Sequence, residues 1–308
     1  MNIFVTGATG VLGRSTVIEL AERGHHVRGV ARSDAKAAWL REHGVEPVTV
    51  DLFDAAAVKD AVAESDTVLH LATAIPEMKH MRTPGAWTDN DRLRTDTTRY
   101  LVDAALDHGV RTFVAESITF CYPDRGAEWI DERDPFGAED AMRSVIDLER
   151  EVSRVSADGN DARGIVLRFG AFYGPDARST DKMLGVARRG LAPFLGAPDA
   201  YLSSIHTEDA SHAVVAALDV PAGTYNVCDE PVARRDAAAA FAAAFGLKRS
   251  RFFPGFAQRL VIRRSGSALL RSQRVSNAKF RAASGWSPQF ATVREGWNAV
   301  AAQRAVMQ

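Results

Sequence analysis

The sequence predicts a doubly wound α/β fold built on a parallel sheet, and three observations support this fold class. Short β-branched runs alternate with amphipathic helical patterns from Ile3 to Phe169. A glycine-spaced loop joins the first strand pattern to the first helical pattern. The chain has 308 residues, 46% hydrophobic and 25% charged, which suits one large core or two lobes around a cleft. Strict alternation of strand and helix indicates right-handed βαβ crossovers, with helices on both faces of the sheet.

The predicted elements follow one another in a regular order. The strand patterns are IFVT, HVRGVA, EPVTV, TVLHLA, TFVAES and GIVLRF, and the helical patterns between them cover residues 11–23, 34–43, 54–64, 89–108 and 139–157. After Gly170 the rhythm changes to a helix over 181–190, a helix start in SSIHTEDASHAVVAAL, a strand in TYNV and an Ala-rich helix in AAAAFAAAF. We therefore predict a first domain over residues 1–170 and a smaller lobe over residues 171–308, partly interleaved with the sheet.

Composition and motif spacing exclude several classes of protein. The N-terminus MNIFVTGATG has no basic region and too short an apolar run for a signal peptide, and no uncharged stretch of about 18 residues occurs. We expect a cytoplasmic protein that binds neither a membrane nor nucleic acid. Cys121 and Cys228 form no CxxC pair, and the eight histidines show no metal-ligand spacing. We expect no metal.

The loop VTGATGVLGR has the spacing of a phosphate-binding loop. Gly7, Gly10 and Gly13 lie between the strand IFVT and a helix that begins near Val11. In such loops one glycine permits a tight turn, one lets the backbone approach a pyrophosphate, and one allows close packing of helix on strand. The phosphates then lie at the helix N-terminus, where backbone N–H groups point at them. The loop predicts a dinucleotide site.

Two arginines favour NADP(H) over NAD(H) in that site. An acid after the second strand would bond the ribose 2′-hydroxyl, whereas a basic residue there would meet a 2′-phosphate. In HVRGVARS, Arg32 occupies this position with neither Asp nor Glu, and Arg14 opens the first helix facing it. The alternative is that both arginines are ordinary solvated side chains.

With these motifs the sequence resembles the short-chain dehydrogenase/reductase superfamily, in its extended, NAD-dependent epimerase/dehydratase-like branch. TGATGVLG has the superfamily's glycine spacing, and RTDTTRYLVDAA, LRFGAFYGP, SSIHTEDASHAV, TYNV and ASGWSP resemble later segments of the branch. The resemblance covers almost the whole chain and implies a Rossmann domain for residues 1–170 and a substrate lobe for the remainder. It also implies cofactor contacts at the glycine loop, at the second and third strand ends, and in HLAT. The expected cofactor-binding residues are Gly7, Thr9, Gly10, Val11, Leu12, Gly13, Arg14, Arg32, Asp51, Leu52, Leu71, Ala72 and Thr73.

The sequence departs from the superfamily at its catalytic acid, a Tyr four residues before a Lys on the helix after the fifth strand. Aligning Glu149 with the Glu usual in that helix puts Ala141 at the Tyr position and Val145 at the Lys position. Arg94 takes the place of the family's Asn. None of the five tyrosines is followed by Lys four residues later. The chain is therefore an atypical member that lacks the pair.

The end of the fifth strand, ESITFCYPDRG, supplies other catalytic candidates. The superfamily's catalytic Ser or Thr lies at this strand end, so Ser117 and Thr119 are candidates for bonding a substrate oxygen. Tyr122 is the nearest phenol that could replace the lost one. The alternatives are that Ser117 caps the strand end and that Tyr122 is a packed or rim residue.

Three further residues each have a structural and a chemical interpretation. Tyr173 matches a family tyrosine near the nicotinamide edge, or it closes the turn before Pro175. His206 has a near-neutral ordinary pKa and could act as an acid, but in this branch the residue usually stabilises a helix start with Asp209. Cys121 reads as a small buried hydrophobe.

A basic segment lies near the C-terminus. Residues 237–294 contain eleven Lys or Arg and no Asp or Glu, so the rest of the chain is acidic. The stretch from Arg251 to Arg274 combines aromatic and basic side chains that could cover the substrate cleft and favour a substrate with an apolar body and an anionic handle. The alternative is a solvated basic face. The residues concerned are Phe252, Phe253, Phe256, Leu260, Arg259, Arg263 and Arg264.

The expected function is that of an atypical NADP(H)-dependent oxidoreductase. Hydride would pass to or from a small organic substrate, a carbonyl or a conjugated acceptor, with the proton supplied by Ser117, Tyr122 or water. Two alternatives stay open: a non-redox isomerase, lyase or cyclase that retains the cofactor, and an NADP(H)-sensing binding protein. The expected partner is a small-molecule substrate, with a homodimer as an open alternative to a monomer.

Overall fold

The chain folds into two compact units, each assembled from several segments. The computed structural model describes residues 1–76, 80, 83–137, 142–157, 161–175, 177–248, 250–255, 258 and 268–306. Unit 1 comprises Met1–Ser117, Glu139–Arg168 and Ser211–Tyr225, and unit 2 comprises Ile118–Ala138, Phe169–Ala210 and Asn226–Gln308. Both units are discontinuous in sequence. Each consists of three segments, and the segments of the two units alternate along the chain.

A seven-stranded sheet carries the predicted doubly wound topology. Its strands are β1 (Asn2–Thr6), β2 (His26–Val30), β3 (Glu46–Val48), β4 (Thr67–His70), β5 (Thr112–Ile118), β7 (Arg163–Phe169) and β11 (Gly223–Val227). They lie in the order β3-β2-β1-β4-β5-β7-β11, and the pairs from β3 to β5 are parallel. The direction of winding reverses between β1 and β4, which is the switch point where ligands bind in such sheets. The predicted fold class is confirmed.

Helices follow the strands of the sheet in turn. They are α1 (Val11–Glu22), α2 (Asp34–Glu42), α3 (Ala55–Val62), α4 (Thr88–Arg92), α5 (Thr98–Asp107), α6 (Arg143–Ser153) and α8 (Thr207–Ala216). Buried side chains of α3, α5 and α6 pack with the sheet in one apolar cluster that includes Phe4, Leu101, Phe113 and Leu148. This burial gives unit 1 its core.

Two elements differ from the sequence expectation. The helix predicted over 89–108 is interrupted by a π-helical turn, Leu93–Thr97, between α4 and α5. A π turn inserts a residue into the helical hydrogen-bond ladder, and apolar periodicity does not reveal it. The TYNV strand, expected among the elements of the smaller lobe, is the edge strand β11 of the large sheet.

Unit 2 is built from short strands and four helices among its described residues. The strands are β6 (Trp129–Ile130), β8 (Ala171–Tyr173), β9 (Tyr201–Leu202), β10 (Ser204–His206), β12 (Val232–Ala233) and β13 (Arg274–Val275), and the helices are α7 (Arg178–Ala187), α9 (Arg234–Ala244), α10 (Ala278–Ser284) and α11 (Val293–Val306). An aromatic cluster forms its core, in which Trp297 packs 4.7 Å from Tyr173 and 4.8 Å from Phe241 between ring centroids. Among the helices that the structure describes, none is long and apolar enough to cross a membrane.

Candidate functional site

The glycine loop between β1 and α1 has the geometry of a phosphate cradle. Gly7 has a φ of +74°, a conformation that costs other residues energy, and a Cβ there would collide with the carbonyl of Leu71. A Cβ at Gly13 would collide with the carbonyl of Gly7. The turn and the close approach predicted for the loop therefore each require a glycine.

The N-terminus of α1 is open to an anion. Gly10 is its N-cap and brings no side chain to bond the first N–H groups, and the first turn contains no acid. The backbone N–H groups and the positive end of the helix dipole are the features that bind phosphate in other proteins. The residues of the loop are those that dinucleotide binding needs.

A cavity of about 480 Å³ lies beside the ends of β2 and β3 in unit 1. Its lining brings together three predicted cofactor residues, Arg32, Asp51 and Leu52. Arg32 is exposed, and Asp51 Oδ1 accepts a hydrogen bond of 2.9 Å from the N–H of Phe53. Asp34, in the first turn of α2, and Asp89, in the first turn of α4, also line the cavity and add negative charge to it.

Arg14 lies in the first turn of α1. Its guanidinium stacks over the ring of Trp39, 4.7 Å from the centroid, and its Nε donates a hydrogen bond of 3.4 Å to the carbonyl of Thr9. The side chain is exposed. Stacking leaves the edge of a guanidinium available to an anion, so this placement is compatible with a phosphate contact.

The end of β4 is fixed to the π turn by a neutral histidine. The carbonyl of Leu93 can only accept, so Nε2 of His70 donates the 3.1 Å bond to it, and Nδ1 accepts the 2.7 Å bond from Thr6 Oγ1. Burial lowers the pKa of His70 to about 4. HLAT, predicted to lie beside the cofactor, thus begins with a structural residue and continues with Leu71, whose carbonyl faces Gly7.

Ser117 at the end of β5 is bonded to a buried ion pair. Its Oγ donates a 2.6 Å hydrogen bond to Glu149 Oε1 on α6. Glu149 forms a two-pronged ion pair with Arg168, at 2.9 and 2.6 Å, and both side chains are about 90% buried. In this arrangement Ser117 closes a network inside unit 1. Its predicted role at a substrate oxygen stays a prediction.

Thr119 and Tyr122 lie together in unit 2. Both are buried, and the carbonyl of Thr119 accepts a 3.0 Å hydrogen bond from the N–H of Tyr122. The phenol of Tyr122 donates a 2.9 Å hydrogen bond to Asn226 Oδ1. A catalytic role for Tyr122 requires that this bond exchange for one to the substrate, and it also stays a prediction.

The sequence reasoning missed Glu116, the residue before Ser117. Its side chain is 7% exposed in a strand that is otherwise mainly apolar, and burial raises the pKa of its carboxyl to about 7, against the opposing effect of Arg94. Arg94 lies in the π turn and is also buried. The signal in the sequence was an acid inside TFVAESI together with an Arg in place of the family's Asn. A buried acid and cation at the carboxyl end of a central strand are typical of functional sites.

Tyr173 and His206 are both packed in unit 2. Tyr173 donates a 3.2 Å hydrogen bond to Asp229, and burial and that carboxylate raise its pKa well above the usual range. Burial lowers the pKa of His206 to about 4. Asp209 accepts hydrogen bonds from the N–H groups of Gln289 and Phe290, at 2.6 and 3.0 Å, and so holds the start of α8. The contacts of Asp209 agree with its expected role at a helix start, whereas both interpretations of Tyr173 and of His206 stay predictions.

The structure describes part of the basic segment. Phe256, Arg259, Leu260, Arg263 and Arg264 lie outside the described residues. In the described part, Arg271 donates to the carbonyls of Phe120 and Tyr122, and Arg274 stacks on Trp129 and Tyr201 at 4.1 and 4.9 Å. Cys121 is buried, as expected for a small hydrophobe.

The doubly wound sheet and its glycine loop define the class as dinucleotide-binding proteins. The chain belongs to the NAD dependent epimerase/dehydratase family, whose family model matches residues 3–228, and it is an NAD(P)-dependent enzyme of the oxidoreductase or epimerase type. The family predicted from the motifs is confirmed. The absence of the Tyr-Lys pair concerns a helix whose Tyr position, Ala141, lies outside the described residues.

Individual relatives agree with the family and the fold. A 3-diazoavenalumate denitrifying reductase from a Streptomyces species is 33% identical over 311 residues, which cover 96% of this chain and 99% of the relative. The human epimerase family protein SDR39U1, solved with NADPH, matches with a TM-score of 0.79 at 22% identity over 98% of this chain and 99% of that chain. A UDP-glucose 4-epimerase from Thermotoga maritima, solved with UDP-glucose, matches with a TM-score of 0.80 at 18% identity over 100% of both chains.

Proposed function

We propose that the protein is a reductase that uses NADP(H) and transfers hydride to a small organic acceptor, a carbonyl or a conjugated compound. The observation that carries the proposal is Arg32, exposed at a cavity beside β2 and β3 where a 2′-phosphate would be recognised. The relative at 33% identity is named a reductase, which supports redox chemistry over isomerisation.

The loop and the cavity fit the cofactor. The N–H groups at the start of α1 would hold the pyrophosphate, Arg32 and Arg14 the 2′-phosphate, and Asp51 and Leu52 the adenine side of the nucleotide. When bound, the nicotinamide supplies or accepts a hydride. Asp34, Asp51 and Asp89 all line the same cavity, so selection of NADP(H) requires that the two arginines outweigh their charges.

The proton needed after hydride transfer is proposed to come from the end of β5. Ser117, Thr119 and Tyr122 are the candidates with hydroxyl groups, and all three are buried. Glu116 is a fourth candidate, because a carboxyl with a pKa of about 7 is still partly protonated at neutral pH and can act as a general acid. Arg94 beside it would stabilise the carboxylate left after proton transfer.

A cofactor and substrate screen tests the proposal. NADPH oxidation is followed with a panel of aldehydes, ketones and enones, with NADH in parallel. Net oxidation of NADPH is the expected result. Tight NADPH binding without oxidation by any acceptor would favour the sensing protein, and conversion of a substrate with no net change in NADPH would favour a lyase, isomerase or cyclase.

An anionic handle on the substrate is a finer part of the proposal. It depends on Arg263 and Arg264, which the sequence places in the basic segment. Replacing both with Gln is expected to raise the KM and to weaken its dependence on salt, while leaving the affinity for NADPH unchanged. An unaltered KM would leave only a solvated basic face.

A further inference from the structure

Unit 2 contains a cavity of about 200 Å³ with an aromatic lining. Phe120, Phe172, Tyr173, Phe194 and Trp297 contribute rings to it. Tyr173 and Trp297 are buried and fixed by the unit 2 core, whereas the other three are half-buried. The rings come from four segments of unit 2, which are the turn after β5, β8, the segment after α7, and α11.

Arg234 is the one charged side chain among the described residues that line this cavity. It is 3% exposed, and its guanidinium donates hydrogen bonds of 3.1, 3.3 and 2.7 Å to the carbonyls of Leu269, Leu270 and Arg271. Burial lowers its pKa to about 10. Because the two terminal nitrogens are already bonded to backbone oxygens, Arg234 holds the wall of the cavity and is a poor clamp for a phosphate.

The other polar groups do not convert the cavity into an anion site. Ser204 Oγ lies 3.1 Å from Asp229 Oδ1 and donates to that carboxylate. Asp229 is fully buried, and burial raises the pKa of its carboxyl well above the usual range, so this group offers an anion no positive charge. The cavity therefore favours a neutral, apolar guest.

The volume of the cavity limits which ligands it can hold. A cavity of about 150 Å³ lined with apolar side chains holds benzene. A volume of about 200 Å³ accepts one ring with a short substituent, and it is below the range of about 300 to 1,000 Å³ typical of sites for larger ligands. A nucleoside diphosphate sugar exceeds this volume, and its pyrophosphate would lack a free cation in the described lining.

We propose that this cavity, the aryl pocket, binds the aromatic ring of a compound with a single ring. Flat rings contact aromatic walls through stacked and edge-to-face arrangements, which saturated rings of similar volume cannot form. The proposal rests on the proposed function in one respect: where the aryl compound bound in unit 2 is also reduced by NADPH, the acceptors are aryl aldehydes, ketones and enones.

Calorimetric titration tests the pocket without requiring turnover. The full-length protein is saturated with NADP⁺ and titrated with 4-nitrobenzaldehyde, with cyclohexanecarboxaldehyde and with UDP-glucose. The aryl aldehyde is expected to bind at least tenfold more tightly than the cyclohexyl analogue. Equal affinities for the two aldehydes, or tighter binding of UDP-glucose than of the aryl aldehyde, would overturn the aryl pocket.

Two variants locate the binding. Ala171→Leu places a larger side chain in the cavity and is expected to weaken aryl binding tenfold or more, whereas Ala197→Leu, at an exposed position of the same unit, is the matched control. Met183→Ala enlarges the cavity and is expected to shift the preference toward 2-naphthaldehyde. Unchanged aryl affinity in Ala171→Leu together with an unchanged ring preference in Met183→Ala contradicts the proposal.

The same samples separate the pocket from the proposed function. If the aryl aldehyde binds and Ala171→Leu abolishes binding, but NADPH is never oxidised, the result supports the aryl pocket and contradicts the proposed reductase activity. If NADPH is oxidised only with aliphatic acceptors that bind equally to wild type and Ala171→Leu, the result supports the proposed reductase activity and contradicts the aryl pocket.

Discussion

Arg32 is the residue on which cofactor preference depends most directly. A charge-assisted hydrogen bond to a 2′-phosphate contributes about 1.5 to 3 kcal/mol, so Arg32→Asp is expected to weaken NADPH binding by about tenfold to a hundredfold. NADH binding should change little or improve, because the new carboxylate can accept from the 2′-hydroxyl. Titration of both cofactors measures the effect, with Arg41→Asp in α2 as an exposed control. Equal affinity of the wild type for NADPH and NADH would refute the preference.

Glu116 gives the reaction a testable pH dependence. If its carboxyl donates the proton, turnover falls as pH rises through about 7, where the carboxyl loses that proton. Glu116→Gln is expected to lower turnover by about 10² to 10⁴ and to remove this limb of the pH profile. Glu22→Gln, on the exposed surface of α1, is the control. If the variant keeps wild-type turnover and an unchanged pH profile, Glu116 is not the proton donor, and Ser117, Thr119, Tyr122 or water remains.

Residues of the candidate site differ in how far the sequence could predict them. Gly7 and Gly13 were predictable because a positive φ and a close backbone approach each demand glycine within one short segment. The raised pKa of Glu116 was not, because it arises from burial and from Arg94, which lies 22 positions earlier in the chain. Local motifs are visible in sequence, whereas electrostatic environments depend on contacts between distant segments.

At the scale of elements, Ser117, Glu149 and Arg168 form a network that joins β5, α6 and β7. Substitutions in this network distinguish a structural role of Ser117 from a catalytic one. Glu149→Gln is expected to cost about 3 kcal/mol of unfolding free energy, because it breaks the two-pronged ion pair between Glu149 and the buried Arg168. Ser117→Ala removes one hydrogen bond and is expected to cost only about 1 kcal/mol. Denaturant unfolding measures both values.

Turnover of the same variants then decides between the two roles. If Ser117 serves the network alone, Ser117→Ala keeps its rate within a few-fold of wild type. A fall of about 10² or more in turnover, with unfolding free energy reduced by only about 1 kcal/mol, would instead assign Ser117 to the substrate oxygen. Thr112→Val, at the other end of β5, is a matched loss of one hydroxyl bond.

The order of elements was predictable where the pattern of burial is local. Each strand of the sheet from β1 to β7 was recognised, because strands buried on both faces read as short apolar runs. The π turn was missed because it depends on bonds such as that from His70 to the carbonyl of Leu93, which lie outside helical periodicity. The place of β11 was missed because a short strand does not reveal its neighbour.

At the scale of the whole molecule, buried histidines and buried carboxyl groups change the free energy of unfolding in opposite directions as the pH changes. His70 and His206 have pKa values lowered to about 4, so the unfolded chain binds more protons than the folded one between pH 4 and 6.5, and stability falls as pH falls there. Glu116, with its pKa raised to about 7, is protonated when folded and ionised when unfolded between about pH 5 and 7, and burial raises the pKa of Asp229 in the same direction. Their effect is the reverse: stability falls as pH rises.

A group that is protonated in only one of the two states contributes a slope of about 1.4 kcal/mol per pH unit, and a single substitution isolates that contribution. Relative to the wild type, Glu116→Gln is expected to gain up to about 1.4 kcal/mol of unfolding free energy per pH unit between about pH 5 and 7, because it removes a carboxyl that the folded chain keeps protonated. Relative to the wild type, His206→Gln is expected to lose up to about 1.4 kcal/mol per pH unit between about pH 4.5 and 6.5, because it removes an imidazole that the folded chain keeps neutral. Denaturant unfolding from pH 4.5 to 8 measures all three curves, and identical slopes in the wild type and both variants would show that these buried groups do not govern the pH dependence.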